Sequence, residues 1–577
     1  MINIKENEKL NVLNHSCAHL LAQAVQHLYP NAKFWVGPVI EEGFYYDIDL
    51  GDKTISDDDL LAIEKEMKKI CKDGKRIVRN EITKEEALDK FKDDPYKIDL
   101  ISRMDENETT ISTYSQGDFT DLCRGPHVES VKELKNFKLL KHSGAYWKGD
   151  ANNKMLQRIY GICFPTQEEL EEHLNQIEEA KKRDHRKLGK EMNLFMMSDY
   201  GPGLPFWLPN GYKLRRTLED FWLKLHADRG YLTIDTPIFL NRELWETSGH
   251  WDHYKDDMYT FDVEDGTYAI KPMNCPGAIL VYNNALHSYK ELPLRYSELG
   301  HVHRYEASGA LSGLFRVRGF TQDDAHILLM ESQIGEEVGR ILELYDYVYS
   351  IFGLNYSIEL STRPDDFIGE IAVWDEAEEA LKKACLATGH DFRINPGDGA
   401  FYGPKLDFKL TDSLGRIWQC GTVQLDMQLP GRFNCTYIAE DGTKKTPVMI
   451  HRACFGSLER FIGILIENYG GVFPLWLAPR QVMIIPVNGE IHSDYAKQVQ
   501  NKLASCGINA EVDDRNEKLG YRMREAQIAK IPVTLVLGDN EMNNKSVNVR
   551  RHGKEGQESM SLDELCNLLV DEINEKK

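Results

Sequence analysis

The sequence has no apolar run approaching the roughly 20 residues that cross a bilayer, so it offers no membrane-spanning helix. Its opening, MINIKENEKL, is charged and has none of the apolar core of a secretory leader. Cysteine is sparse. Eleven residues in 577 lie scattered rather than framed, which argues against a disulfide scaffold and for thiols in a reducing compartment. Positive charge is in deficit, with 70 Lys and Arg against 92 Asp and Glu for a net charge of −22. That disfavours a generic basic coat for DNA, though acidic proteins can still carry local basic patches. Internal repeats and low-complexity tracts are absent. What is present is ordinary globular composition, 42% hydrophobic and 28% charged. At ~150 residues per domain the chain should form roughly four domains. A soluble, cytoplasmic, multidomain protein is expected.

The first segment, 1–165, opens on a helical pattern from Leu13 to Leu28 and continues into strands through FWVGPVIEEGFYYDIDL. A helix over Asp57–Cys71 has acids in its first turn and lysines in its last. DFTDLCRGPH, ending at His127, reads as a loop. Residues 166–195 read as one polar linker helix, acidic in front and basic behind. Its Lys181, Lys182, Arg183, Arg186 and Lys187 read first as a solvated helix end, or more sharply as a phosphate contact. The largest block runs from 196 to 476. After it, 477–577 alternates strands (482–486, 508–512, 532–537, 546–551) with helices (493–506, 519–529, 562–575), as in a small α/β domain.

The stretch from Ser297 to His326 is the richest in chemistry. Arg304 and Glu306 fall at spacing two, as on one strand face. A Gly/Ser-rich loop and a second alternating run, Phe315–Phe320, follow with Arg316 and Arg318. Guanidinium forks suit phosphate bidentately, so an anionic phosphate ligand is expected. A lone hairpin of this kind is more often a solvated surface feature. Two further segments change the balance. RGYLTIDTPIF (229–239) is a strand entering Pro237 after an amphipathic helix, and HRACFGSLERFIGILIEN (451–468) sets Gly456, Glu459 and Arg460 ahead of a long apolar helix.

In this order the three segments resemble the signature motifs of class II aminoacyl-tRNA synthetases. KPMNCPGAI, FTQDDAHI, FYGPKLDF, WQCGTVQLD and VMIHRACFGSLER narrow the resemblance to the threonyl-tRNA synthetase family. It implies an α+β multidomain chain: an antiparallel-sheet catalytic core (196–476), an N-terminal α+β editing domain (1–165) and a C-terminal α/β anticodon-binding domain (477–577). The implied partners are ATP with Mg²⁺, L-threonine and tRNA(Thr). By the family pattern, Arg304 would hold the α-phosphate, Glu306 the adenine amino group, and Phe320 and Arg460 the two faces of the ring. Arg316 would serve the β/γ end, with Gln419 and Thr422 also on the nucleotide.

Cys275, His326 and His451 are too far apart in sequence to announce a metal site, and from the residues alone they are an isolated thiol and two imidazoles. The resemblance makes them ligands of one Zn²⁺ per chain, with positions left open for the amino and hydroxyl groups of threonine. Asp324 would accept from that hydroxyl, and Met273, Gln322, Tyr402 and Gln424 would line the pocket. Valine, lacking the hydroxyl, should be rejected by on the order of 10⁴. Serine lacks only a methyl, worth roughly 10–200-fold, so a hydrolytic sieve is required. His15 and His19 share a helix face, and Cys123 and His127 pair in the loop. Read from the residues, these four make a zinc pattern. The threonyl family implies instead a metal-free deacylase, with Asp121 nearby.

In the last domain Arg515, Lys518, Arg522 and Arg524, then Arg550, Arg551 and Lys554, are the candidate tRNA contacts. The first motif implies a homodimer. Only 14 residues precede His15, so the ubiquitin-like domain that many members carry there is expected to be missing.

Overall fold

The computed structural model describes residues 3–104 and 110–577. The chain divides into two compact units, Met1–Glu179 and Ala180–Lys577, each described by itself.

In the first unit the helix Glu8–Leu28 is capped by the Asn7 side chain, which accepts the Leu10 N–H. It buries Leu13, Cys17, Leu20, Leu21, Ala24 and Val25 at helical spacing. Among the described residues an antiparallel five-stranded sheet forms from Lys33–Phe34, Val39–Ile40, Gly43–Asp49, Phe137–Tyr146 and Met155–Cys163. A three-stranded sheet joins Ile77–Thr83, Thr110–Gln116 and Phe119–Leu122. The last of these corrects the loop expected there: Phe119–Leu122 is a strand, and only the residues after it are loop. Phe119 and Asp121 are buried while Thr120 and Leu122 are half-exposed, an alternation too short to stand out in sequence.

The single linker helix expected over 166–195 is two helices, Gln167–Arg183 and His185–Glu191. Asp184 breaks the run, because its carboxylate accepts the Arg186 N–H and caps the second helix. Linker cations have internal partners. Arg183 donates to Ser413 Oγ and the Asn468 carbonyl, and Arg186 pairs with Asp184.

The second unit is built on an eight-stranded sheet. Its order is Leu232–Thr233, Leu294–His303, Gly319–Leu329, Val448–Ala453, Ile417–Asp426, Lys405–Thr411, Asn355–Ser361 and Phe392–Asn395. Only the two edge pairings are parallel. Helices Pro209–Ala227, Ile334–Ile351, Ile371–Ala387 and Leu458–Asn468 supply Trp222, Tyr345, Leu381 and Ile464 to the core that the sheet covers. The expected hairpin needs correction. The strands end at His303 and resume at Gly319, so Arg304, Glu306, Arg316 and Arg318 all lie on the intervening loop. Glu306 N–H turns back to the Arg304 carbonyl at 3.0 Å, which takes the chain out of the ladder.

A five-stranded mixed sheet follows, in the order Ala510–Val512, Val482–Pro486, Val533–Leu537, Ser546–Arg551, Glu558–Ser561. The helix Asp539–Asn544 and the strand Glu558–Ser561 are additions to the sequence reading. Arg522, expected at a tRNA surface, is 2% exposed and donates to the carbonyls of Pro486, Asp513 and Glu517. It holds the domain together rather than facing solvent.

Candidate active site and editing site

Along Gly319–Leu329 the alternation of a strand puts Phe320, Gln322, Asp324 and His326 on one face and Thr321, Asp323 and Ala325 on the other. Register then assembles the polar face. His326 lies opposite His451 on the next strand, and His451 lies opposite Gln424 on the strand beyond. The helix Cys275–Asn283 brings Cys275 in from its first turn. The Cys275, His326 and His451 ligand atoms all come within 4.8 Å of one another, and all three residues are buried.

Cys275, His326 and His451 suit a metal. His451 Nε2 is 2.9 Å from Asp426 Oδ2, which fixes the ring and directs Nδ1 elsewhere. His451 Nδ1 and His326 Nε2 are both buried without a hydrogen-bond partner among the described residues. Two orphaned imidazole nitrogens beside a buried thiol are costly to leave unmet. A borderline-soft cation with tetrahedral preference satisfies all three. Asp426 escaped the sequence reading, although it sits two residues beyond Gln424 on the same strand face.

The other expected pocket residues gather around this centre. Asp324 Oδ2 accepts from Asn274 Nδ2 at 3.1 Å and lies 4.0 Å from His326 Nε2. Burial raises the Asp324 carboxyl above its ordinary value. The Tyr402 ring stacks on His451 at 5.0 Å, and its hydroxyl donates to Gln424 Oε1. Gln322 Oε1 is buried with no hydrogen-bond partner among the described residues. Met273 is half-buried two residues before Cys275.

Among the residues expected at a nucleotide, the Arg304 Nε donates to the Pro272 carbonyl at 3.1 Å, and its guanidinium carbon lies 5.1 Å from the Phe320 ring centre. Glu306 and Arg316 pair with each other at 2.8 Å. Arg460 donates to the carbonyls of Phe315 and Gln419 at 3.1 and 3.0 Å. Thr422 Oγ1 is buried without a hydrogen-bond partner among the described residues, and the Gln419 side chain donates to Asp407.

Behind the sheet, two carboxylates tie the motifs together. Asp323 accepts the N–H groups of Cys454, Phe455 and Gly456, each at 2.9 Å, and the Trp222 indole at 3.2 Å. Burial pushes its carboxyl up to about 6. Glu459 accepts the Thr321 N–H at 2.8 Å and meets Arg215, and burial raises it to about 7. Gly456 has φ +80°, and a Cβ there would come within 2.5 Å of the Cys420 carbonyl oxygen. Gly456→Ala should therefore destabilise the second unit by about 1–3 kcal/mol, measurable by urea unfolding.

In the first unit, His15, His19, Cys123 and His127 also bring their ligand atoms within 4.8 Å of one another. Cys123 Sγ is 3.2 Å from His15 Nε2 and 3.1 Å from His127 Nε2, while Ser16 Oγ is 3.0 Å from His127 Nδ1. His19 Nε2 is 3.6 Å from Asp121. Burial lowers His19 to about 4 and His127 to about 2, and raises the Cys123 thiol to about 11. Burial lowers His15 as well, so it favours the neutral form of all three imidazoles and of the thiol. Two residues missed in sequence complete it. Lys97, 3% exposed, pairs with Asp121 and donates to Tyr46 Oη, while Tyr46 donates to the same carboxylate. Burial would raise the Asp121 carboxyl, but Lys97 and His19 bring it below its ordinary value. No spacing links residues 46, 97 and 121, so only the fold reveals them. A cleft of about 620 Å³ opens beside Cys123, lined also by Arg79, Arg103, Ser112 and Arg124.

An antiparallel sheet with a strand-and-proline motif, an arginine loop between its central strands and a Gly-Glu-Arg helix start defines a class II aminoacyl-tRNA synthetase. Sequence comparison agrees. The family model of the class II synthetase core domain (G, H, P, S and T) matches residues 259–469. The anticodon binding domain matches 481–572, and the threonyl and alanyl second additional domain matches 111–160. The threonine–tRNA ligase of Finegoldia magna is 53% identical over 578 residues, covering 100% of this chain and 91% of that protein. That of Clostridioides difficile is also 53% identical, covering 100% and 90%. Among solved structures, the RNA binding domain of a Cryptosporidium parvum threonyl-tRNA synthetase superposes with a TM-score of 0.66 at 41% identity, over 67% of this chain and 98% of that one. A putative threonyl-tRNA synthetase from Aeropyrum pernix gives 0.59 at 31%, over 68% and 96%. The chain belongs to the threonine–tRNA ligase family. No helix among the described residues is long and apolar enough to cross a membrane.

Proposed function

We propose that this enzyme joins L-threonine to tRNA(Thr) and hydrolyses seryl-tRNA(Thr) in its first unit. The convergence of Cys275, His326 and His451, with two imidazole nitrogens orphaned beside Asp324, Tyr402 and Gln424, carries the reading. These three side chains would hold one Zn²⁺. When bound, that ion supplies Lewis-acid sites that an amino and a hydroxyl group can ligate and a hydrocarbon cannot.

In activation, a threonine carboxylate oxygen attacks the α-phosphorus of Mg–ATP, the bond to the β-phosphate oxygen breaks, and pyrophosphate leaves. Such a step needs alignment and charge neutralisation more than covalent catalysis. Arg304 would grip the α-phosphate, with its Nε held by the Pro272 carbonyl. Phe320 and Arg460 would enclose the adenine. Glu306 and Arg316 would exchange their mutual pair for the adenine amino group and the β/γ-phosphates. Asp324 would accept the hydrogen bond from the substrate hydroxyl. A terminal ribose hydroxyl of tRNA then takes the threonyl group and AMP leaves.

For editing, neutral His19 can accept a hydrogen bond from a water that attacks the seryl ester, while His127 is held between Ser16 and Cys123. The ribose hydroxyl departs with the proton. Lys97, Asp121 and Tyr46 hold the floor of this site. Exposed Lys518, Arg524 and Lys554 are the candidate anticodon-side contacts. Leu232 and Phe239, 53% and 56% exposed at the first motif, fit burial against a second copy of the chain. Threonine-dependent ATP–pyrophosphate exchange, followed by charging of tRNA(Thr), tests the reading. Exchange with proline but not threonine would contradict it.

A further inference from the structure

The short helix His185–Glu191 carries a group that lies outside every motif. His185 is 2% exposed. Its Nε2 accepts the Leu314 backbone N–H at 3.0 Å, and its Nδ1 is 2.6 Å from Glu467 Oε1. A ring nitrogen that accepts a backbone donor is unprotonated, so Nδ1 carries the proton and donates to Glu467. Arg416 holds the other oxygen of that carboxylate at 2.6 Å. Asp184, His185 and Glu467 are close enough together for a metal, but both ring nitrogens are already engaged.

The hydrogen bond to Leu314 falls in the loop between the two central strands. The next residue, Phe315, sets its ring 4.1 Å from His185 and 4.3 Å from Trp418, and its carbonyl accepts from Arg460 Nε. The residue after that is Arg316. On the other side, Gly313 has φ +48°, and a Cβ there would come within 2.2 Å of His185 Nε2. The loop is therefore threaded against the imidazole too closely for any side chain at 313.

We infer that His185 is a positioning residue for the nucleotide. Through the Leu314 N–H and the Phe315 ring it fixes the loop that presents Arg316 and anchors the Arg460 guanidinium. This rests on the reading above, in which both arginines face ATP. The threonine-side groups, Cys275, His326, Gln424 and His451, stand on other elements, so losing His185 should disturb ATP and spare threonine.

Exchange kinetics on the full chain test this. His185→Phe keeps a ring and removes both nitrogens. The KM for ATP should rise roughly 10-fold, the scale of one buried hydrogen-bond link, while the KM for threonine stays within about twofold. His185→Gln, whose amide oxygen can take the Leu314 N–H, should recover most of the loss. Gly313→Ala pushes the loop off an intact His185 and should reproduce the ATP defect, which supplies a second route if the Phe variant does not fold. A purely structural role would lower the thermal midpoint and kcat and leave the ATP KM in place. An unchanged ATP KM in His185→Phe and Gly313→Ala, or an equal rise for both substrates, overturns the inference. Absence of threonine-dependent exchange in the unaltered enzyme would instead overturn the functional reading beneath it.

Discussion

Cys275→Ser should abolish threonine-dependent ATP–pyrophosphate exchange, by on the order of 10³-fold or more, and release the zinc. Serine is nearly isosteric with cysteine, so the helix Cys275–Asn283 keeps its first turn and the core behind it. What changes is chemical. A hydroxyl is not deprotonated at neutral pH and is a poor ligand for a borderline-soft cation, so His326 and His451 lose the anionic member of their set. Two buried imidazole nitrogens cannot hold the ion alone against water. Deacylation of seryl-tRNA, proposed for the first unit, should be unaffected. Retention of both metal and exchange would remove Cys275 from the centre.

His19→Ala should produce the opposite separation. Threonine charging stays intact, seryl-tRNA hydrolysis falls by on the order of 10²-fold, and seryl-tRNA(Thr) accumulates when serine is supplied. His19 is 3% exposed and sits between Asp121 and the other two imidazoles, with His127 at a ring-centre distance of 4.3 Å. Removing it takes away a hydrogen-bond acceptor for water and leaves Asp121 to Lys97 and Tyr46 alone. The effect is large because the synthetic site gains only about 1–3 kcal/mol from the methyl that distinguishes threonine from serine. Unchanged deacylation in this variant would take the His/Cys cluster out of editing.

These two sites were legible in sequence to very different degrees. The helix bearing His15 and His19 shows its period and its i, i+4 imidazoles directly. Most strands and helices of 482–574 are visible as alternating apolar runs bounded by turn residues, but the helix Asp539–Asn544 and the strand Glu558–Ser561, short and polar, are not. The zinc candidates are different. Cys275 opens a helix, and His326 and His451 become neighbours only through the register of two strands more than a hundred residues apart. Family resemblance supplied them, since local spacing could not. Lys97, Tyr46, Asp426 and His185 were missed because each acts through a partner distant in sequence. The loop carrying Arg304 and Arg316 was misread as strand because charged residues at spacing two mimic a pleat, whereas the Arg304–Glu306 turn ends the ladder. Arg522 was misread as a surface cation because charge pattern cannot show that three carbonyls surround it.

The claim on which the rest depends is that a cation held by Cys275, His326 and His451 selects amino acids by their hydroxyl. Its most direct test is exchange measured with threonine, serine and valine on one sample whose zinc content is quantified. One zinc per chain should accompany exchange with threonine, weaker exchange with serine by roughly 10–200-fold, and exchange with valine lower by about 10⁴. Full threonine exchange without bound metal, or valine activated within about 10²-fold of threonine, would contradict it.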